Sequence, residues 1–156
     1  MIIVEDVEKR IDQLNIKIPE LPKQSGNYLL AKQYGNLLYI SGVTCKWDGA
    51  IPYKGKVGEH ISVEEGYEAA KICAINHLAV IKSMTGDLNS VNNIIKLVGY
   101  VNCHANFGEI PKVINGASDL LIDVYGERGK HARCAVGVNS LPGTASVETE
   151  MIVELK

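Results

Sequence analysis

The sequence predicts an α+β fold of order ββαβαββ behind a leading helix. Three observations predict it: two segments carry apolar residues at helical spacing, β-rich runs flank each of them, and Gly or Pro separates the pieces. The 156 residues, 46% apolar and 22% charged, suit one domain over 1–156, with 1–25 as a helical and extended lead-in and 26–156 as the core. A chain of this size buries roughly 70% of its unfolded surface, enough for a core without disulfide or metal staples.

The elements follow in order. Val4, Val7, Ile11 and Leu14 make Met1 to Leu14 an amphipathic helix, before a Pro-containing stretch from Ile18 to Ser25. Tyr28 to Tyr34 and Leu37 to Ser41 suit two strands, with Gly35-Asn36 as the turn of a hairpin. Trp47 to Glu59 is a Gly-, Pro- and Lys-rich loop. Ser62 and Glu65 have capping-box spacing, and Val63, Tyr67, Ala70, Ala74, His77, Ile81 and Met84 continue a helix to a C-cap at Gly86. Ile94 to Cys103 is a strand, and Lys112 to Tyr125 a second helix ending at Gly126. Cys134 to Val138 and Ala145 to Leu155 are strands joined by a turn at Pro142-Gly143. Gly116 inside the second helix costs about 1 kcal/mol relative to alanine, which points to close packing or a site at that turn.

Several function classes are disfavoured. No run reaches the roughly 18 to 20 apolar residues of a membrane span, and Met1 to Leu14 lacks a signal core, so the expected compartment is the cytosol. A net charge of -2 argues against a nucleic-acid binder, which needs clustered Lys and Arg. Cys45, Cys73, Cys103 and Cys134 lie 28, 30 and 31 positions apart, so they are expected to be small buried hydrophobes. His60, His77, His104 and His131 are as scattered and form no metal motif. Gly49 and Gly55 are six apart, and Val57 follows Lys56 where a P-loop needs Ser or Thr. No G-x-S-x-G motif occurs.

Strand patterning bears on assembly. Leu37 and Tyr39 alternate with Leu38 and Ile40, and Leu97 and Val101 with Ile94 and Val98, so both sheet faces carry apolar residues. Two helices cover one face, and the expected cover for the other is a second copy of the chain, with sites shared between subunits.

Two charged positions stand out. Arg133 opens the apolar run Cys134 to Val138; it either snorkels to the rim or faces an anion, and its guanidinium fork matches a carboxylate. Glu148, Glu150 and Glu154 share one face of the last strand, opposite Val147, Met151 and Val153. That row is either a solvated face or the source of a carboxylate in an intersubunit cleft, able to orient or deprotonate a water.

The segments Gly35-Asn36-Leu37-Leu38-Tyr39-Ile40-Ser41-Gly42, Val113-Ile114-Asn115-Gly116-Ala117-Ser118-Asp119-Leu120-Leu121 and Ala132-Arg133-Cys134-Ala135-Val136, with Leu141-Pro142 and Val147-Glu148-Thr149-Glu150, resemble the reactive-intermediate deaminase (Rid) superfamily, also labelled endoribonuclease L-PSP. The resemblance runs from about Asn27 to the C-terminus, and the extra N-terminal helix and long 43–60 loop resemble a longer-chain branch. It implies a chorismate-mutase-like fold of the bacterial type, a homotrimer with three intersubunit clefts and no cofactor. It also implies hydrolysis of 2-aminoacrylate-derived imines to 2-keto acids and ammonia. Position by position, Arg133 matches the arginine that grips the substrate carboxylate and Glu148 the acid that orients water. Tyr28, Ser41 and Asn115 match residues lining that site. Many deaminating members have cysteine where this chain has Ala135, and Cys134 is displaced to the opposite strand face. A non-catalytic, chaperone-like trimer binding carboxylate metabolites is the second reading; an endoribonuclease is the third, against which the balanced charge speaks.

Overall fold

The computed structural model describes residues 2–21, 24 and 26–156. The expected helix start at Met1 and part of the expected 18–25 lead-in lie outside the described residues.

The leading helix α1 (Val7–Gln13) is shorter than its periodicity suggests, because Asp6 caps it, its side chain accepting from the Lys9 backbone N–H. Val7 and Ile11 are buried, and Glu8 accepts from Lys82 Nζ at 2.9 Å and from the Leu88 backbone N–H at 3.1 Å. These contacts tie the N-terminal segment to the core.

Strands β1 (Ala31–Tyr34) and β2 (Leu37–Thr44) form the expected hairpin, with Gly35 at a φ of +59°. Its boundaries differ: residues 28–30 stand outside the ladder, whereas β2 runs on to Thr44. The register of β2 against its other neighbour shifts between Ile40 and Val43, a bulge that redirects the chain at Ser41-Gly42.

Helix α2 (Val63–Thr85) has both bonds of the capping box: Ser62 Oγ accepts from the Glu65 N–H, and the Glu65 carboxylate from the Ser62 N–H. It closes on Gly86 in the left-handed region. Strand β3 (Val91–Asn102) leads into α3 (Ile110–Tyr125), which starts two residues earlier than Lys112 because its first turn tolerates Pro111. Gly116 is a packing device, since a Cβ there would stand 2.0 Å from the Tyr67 carbonyl oxygen of α2. Strand β4 (Ala132–Val138) begins before the expected Cys134, and β5 (Val147–Leu155) completes the chain after a 3₁₀ turn at Pro142–Thr144.

The five strands are ordered β1-β2-β5-β3-β4, antiparallel throughout except for the parallel pair β3 and β4, which α3 joins as a crossover. Helices α2 and α3 bury one sheet face, including Leu38, Ile40, Leu97, Val101, Met151 and Val153. The other carries exposed Tyr39, Ile95 and Val136. Ile94 departs from the expected alternation: it is buried with Leu97, because β3 shifts register between Ile94 and Lys96 and so turns Ile95 outward. Cys45, Cys73 and Cys103 are buried as expected; Cys134 is exposed, because it stands on the open face of the edge strand β4. Among the described residues no helix is long and apolar enough to cross a membrane.

Candidate functional site

The sequence-derived residues fall into two groups on opposite faces of the sheet. Arg133 pairs with Leu97 of β3, whereas Glu148 pairs with Tyr100, three positions further along that strand. Three positions amount to roughly 10 Å, and the odd step reverses the face. Arg133 therefore points to the helix side with Leu97, and Glu148 to the open side.

On the helix side, Arg133 is half-buried on the edge strand and held in place. Its Nη1 donates to Asn115 Oδ1 at 2.7 Å and to Ser118 Oγ at 3.2 Å, both on α3. These two acceptors use both Nη1 hydrogens, and among the described residues no acceptor meets Nε or Nη2. The unused Nε–Nη2 edge is the fork that takes a carboxylate bidentately. Ser118 Oγ lies 2.9 Å from His131 Nε2, and His131 Nδ1 lies 2.7 Å from the Gly129 carbonyl oxygen. Burial pushes the His131 imidazole below its ordinary value of 6.5, and the Arg133 charge adds to this against the Gly129 hydrogen bond. Ala135 shares this face and pairs with Gly99, while Cys134 faces the other way.

On the open side, Glu148 is half-buried and rises above its usual 4.5, first because burial penalises its charge and second because Glu150 stands beside it. Glu150 has a partner, accepting from Tyr100 Oη–H at 3.0 Å, whereas among the described residues no donor reaches Glu148. The bulge of β2 makes room for this carboxylate: a Cβ at Gly42 would come within 2.5 Å of Glu148 Oε1. Glu148, Tyr28, Gly42, Lys46, Asn76 and Pro142 line a cleft of about 270 Å³. Ser41 lines the neighbouring cleft of about 450 Å³ with Glu150 and Tyr39, and its hydroxyl donates to the Leu29 carbonyl at 2.7 Å. Gly42 borders both.

Behind Glu148, the buried His77 of α2 donates from Nε2 to Thr149 Oγ1 at 2.8 Å and to the Thr149 carbonyl at 3.1 Å, fixing β5 from its core side. Burial lowers His77 to about 4, so its imidazole is neutral. Lys56, from the Gly-rich loop, donates to Asn102 Oδ1 at 3.0 Å and to the Cys103 and Asn139 carbonyls. It pins that loop. Among the described residues no three His, Cys, Asp or Glu side chains gather as a metal-ligand set.

The structure thus brings Arg133 to Asn115 and Glu148 to Tyr28, and keeps the two pairs apart. Sequence reasoning passed over Ser118 and His131 as site residues. Ser118 carried a signal: three residues after Asn115 on a helix, it presents the same face. Asn76 carried none, since it reaches the cleft only through the packing of α2 across β2, where its Nδ2 donates to the Thr44 and Lys46 carbonyls.

A five-stranded mixed sheet with two long helices on one face and the other face open is the architecture of a chorismate-mutase-like protein. The family model described as "YjgF/chorismate_mutase-like, putative endoribonuclease" matches residues 8–154, and the chain belongs to this family, which includes the Rid proteins. Protein TCP17 of Trypanosoma cruzi is 39% identical over 150 residues, covering 96% of this chain and 94% of that protein. The structure of Atu1372 from Agrobacterium tumefaciens is 42% identical with a TM-score of 0.89, covering 96% of this chain and 92% of that one. A Shewanella oneidensis structure described as a "putative endoribonuclease" is 31% identical with a TM-score of 0.93, covering 97% of this chain and all of the other.

Proposed function

We propose that the chain is an imine deaminase that hydrolyses small 2-imino acids to 2-keto acids and ammonia, in clefts formed between the subunits of a homotrimer. The observation that carries this reading is the division of the site. Among the described residues, the Arg133 half has an anion fork and, as its one base, a His131 already engaged by Ser118 and Gly129; the Glu148 half has a carboxylate base and no cation paired with it. Neither half suffices alone, and the apolar open face around Tyr39, Ile95 and Val136 is the surface a second copy would cover.

In such a cleft the Arg133 fork of one subunit holds the substrate carboxylate, and Glu148 of another orients a water on the imine carbon. The water oxygen bonds to that carbon while the C=N π pair moves to nitrogen. Glu148, its affinity for a proton raised, accepts the proton from water and returns it to nitrogen. Glu148 then takes the hydroxyl proton of this carbinolamine and passes it to the amine; the O–H pair becomes the C=O π bond, the C–N pair leaves with nitrogen, and ammonia departs. Ala135 stands where many deaminating relatives have cysteine, so its contribution is limited to backbone contact. That substitution also favours the second reading, a non-catalytic trimer that binds carboxylate metabolites.

The test is keto-acid release from freshly generated 2-iminopropionate by wild type and Arg133→Ala, with mass measured by light scattering. The expected outcome is acceleration by wild type, loss of at least 100-fold in the variant, and an intact trimer in both. Equal turnover in the variant overturns the deaminase; no acceleration by an intact wild-type trimer selects the binding reading.

A further inference from the structure

We infer that Ser118 and His131 are positioning residues for Arg133: a neutral His131, holding its proton on Nδ1, turns the Ser118 hydroxyl so that its lone pairs fix the guanidinium with one edge open to a carboxylate. This rests on the reading of Arg133 as the anion grip and extends it to two residues that touch no substrate.

The hydrogen bonds give the direction. The Gly129 carbonyl can only accept, so His131 Nδ1, 2.7 Å away, carries a proton. In a neutral ring Nε2 is then an acceptor, and the atom 2.9 Å from it, Ser118 Oγ, donates to it. With its single hydrogen spent on His131, Ser118 presents only lone pairs to Arg133 Nη1 at 3.2 Å. Asn115 Oδ1 takes the other Nη1 hydrogen at 2.7 Å. Rotation of the guanidinium is blocked at Nη1, and Nε and Nη2 meet no acceptor among the described residues.

Protonating His131 reverses this order. An Nε2–H would point at Ser118 Oγ, displace the hydroxyl hydrogen and put two cations on one oxygen. Among the described residues, three groups face the imidazole: Arg133 from β4, Ser118 from α3, and the Gly129 carbonyl from its own turn, whose hydrogen bond alone favours the charged ring. On that turn Lys130 and Glu127 pair with each other at 2.8 Å. On α3, Asp119 beside Ser118 is engaged by Tyr67 Oη–H at 2.7 Å. Burial and the Arg133 charge both work against the imidazolium. As the pH falls toward His131 protonation, the carboxylate grip weakens while the charge on Arg133 is unchanged.

The test combines NMR and binding. Long-range ¹H–¹⁵N spectra of wild type at pH 7.5 are expected to show His131 as the Nδ1–H tautomer, with slow rotation of the Arg133 Nη1 group. Ser118→Ala is expected to abolish that slow rotation and to weaken pyruvate binding and raise KM for 2-iminopropionate about tenfold, the equivalent of one lost charge-assisted hydrogen bond, with kcat little changed. Ser118→Thr keeps the hydroxyl and restores binding. An Nε2–H tautomer, or slow Nη1 rotation retained in Ser118→Ala, overturns the inference. Wild type that neither binds pyruvate nor turns over the imine defeats the proposed function instead, and the two NMR readouts still decide the role of Ser118 and His131.

Discussion

The two half-sites are built on opposite plans. Around Arg133 every acceptor is in place before any ligand arrives, so the guanidinium has little left to lose on binding. Around Glu148 the surroundings only withhold: burial, a like charge and a glycine where a side chain would collide. The lesson is that a cation is best prepared by satisfying part of it, whereas a carboxylate that must accept a proton is best prepared by leaving it unsatisfied.

The largest test of that contrast is Glu148→Gln. Turnover is expected to fall at least 100-fold while pyruvate affinity, read by calorimetry, stays within about twofold, since only the proton acceptor is removed. The same change probes the electrostatic cost. Because the folded-state pKa of Glu148 lies above its unfolded value, the stability it contributes is present below the unfolded pKa and lost as pH rises through the folded one. Glu148→Gln therefore has a higher Tm than wild type at pH 7.5, and the gain shrinks toward pH 4.

Gly116→Ala attacks the other half through packing. Its Cβ meets backbone that cannot move aside, so a loss of about 3 kcal/mol is expected in denaturant unfolding, with weaker pyruvate binding because Asn115 and Ser118 flank the displaced turn. The pH dependence of stability reports on the core behind Glu148. His77 is depressed to about 4, so it contributes stability present above 6.5 and lost as pH falls from there toward about 4. A shift of that size is worth about 3 kcal/mol in full, and His77→Gln should flatten this limb of the curve. The smallest effect is expected for Gly42→Ala. Its Cβ meets only the end of the Glu148 side chain, so stability should hold within about 1 kcal/mol while turnover drops about tenfold as the carboxylate is pushed aside.

Local signals made most of the fold legible. The Ser62 and Glu65 pair, the helix stop at Gly86 and the Gly35 turn act within a few residues, and each appears where its chemistry requires. The bulges were not legible, because a register shift depends on the neighbouring strand; this is why Ile94 changes face and β2 continues past Ser41. At the site, the resemblance singled out Arg133, Asn115 and Glu148, and Asn115 does hold Arg133. Pattern alone left the arginine between rim and anion and the glutamate between solvent and cleft. Neither alternative described a guanidinium held by two side chains of α3. His131 looked like one of four scattered histidines because its partner, Ser118, lies 13 residues away across the turn from α3 to β4.

The crossover that joins the parallel strands β3 and β4 also divides the entropic cost of building the site unevenly. Every hydrogen bond that prepares Arg133 closes a loop of 18 residues or fewer, from α3 through the turn to β4. The glutamate cleft instead needs Thr44 of β2 to meet Glu148 at the far end of the chain, and Asn76 to reach across from α2. Short loops cost less entropy to close than long ones, so the anion fork is the cheaper half to form, whereas the base depends on the final strand docking between β2 and β3. A chain truncated before β5 would retain the sequence for a carboxylate grip and lack everything needed to use it.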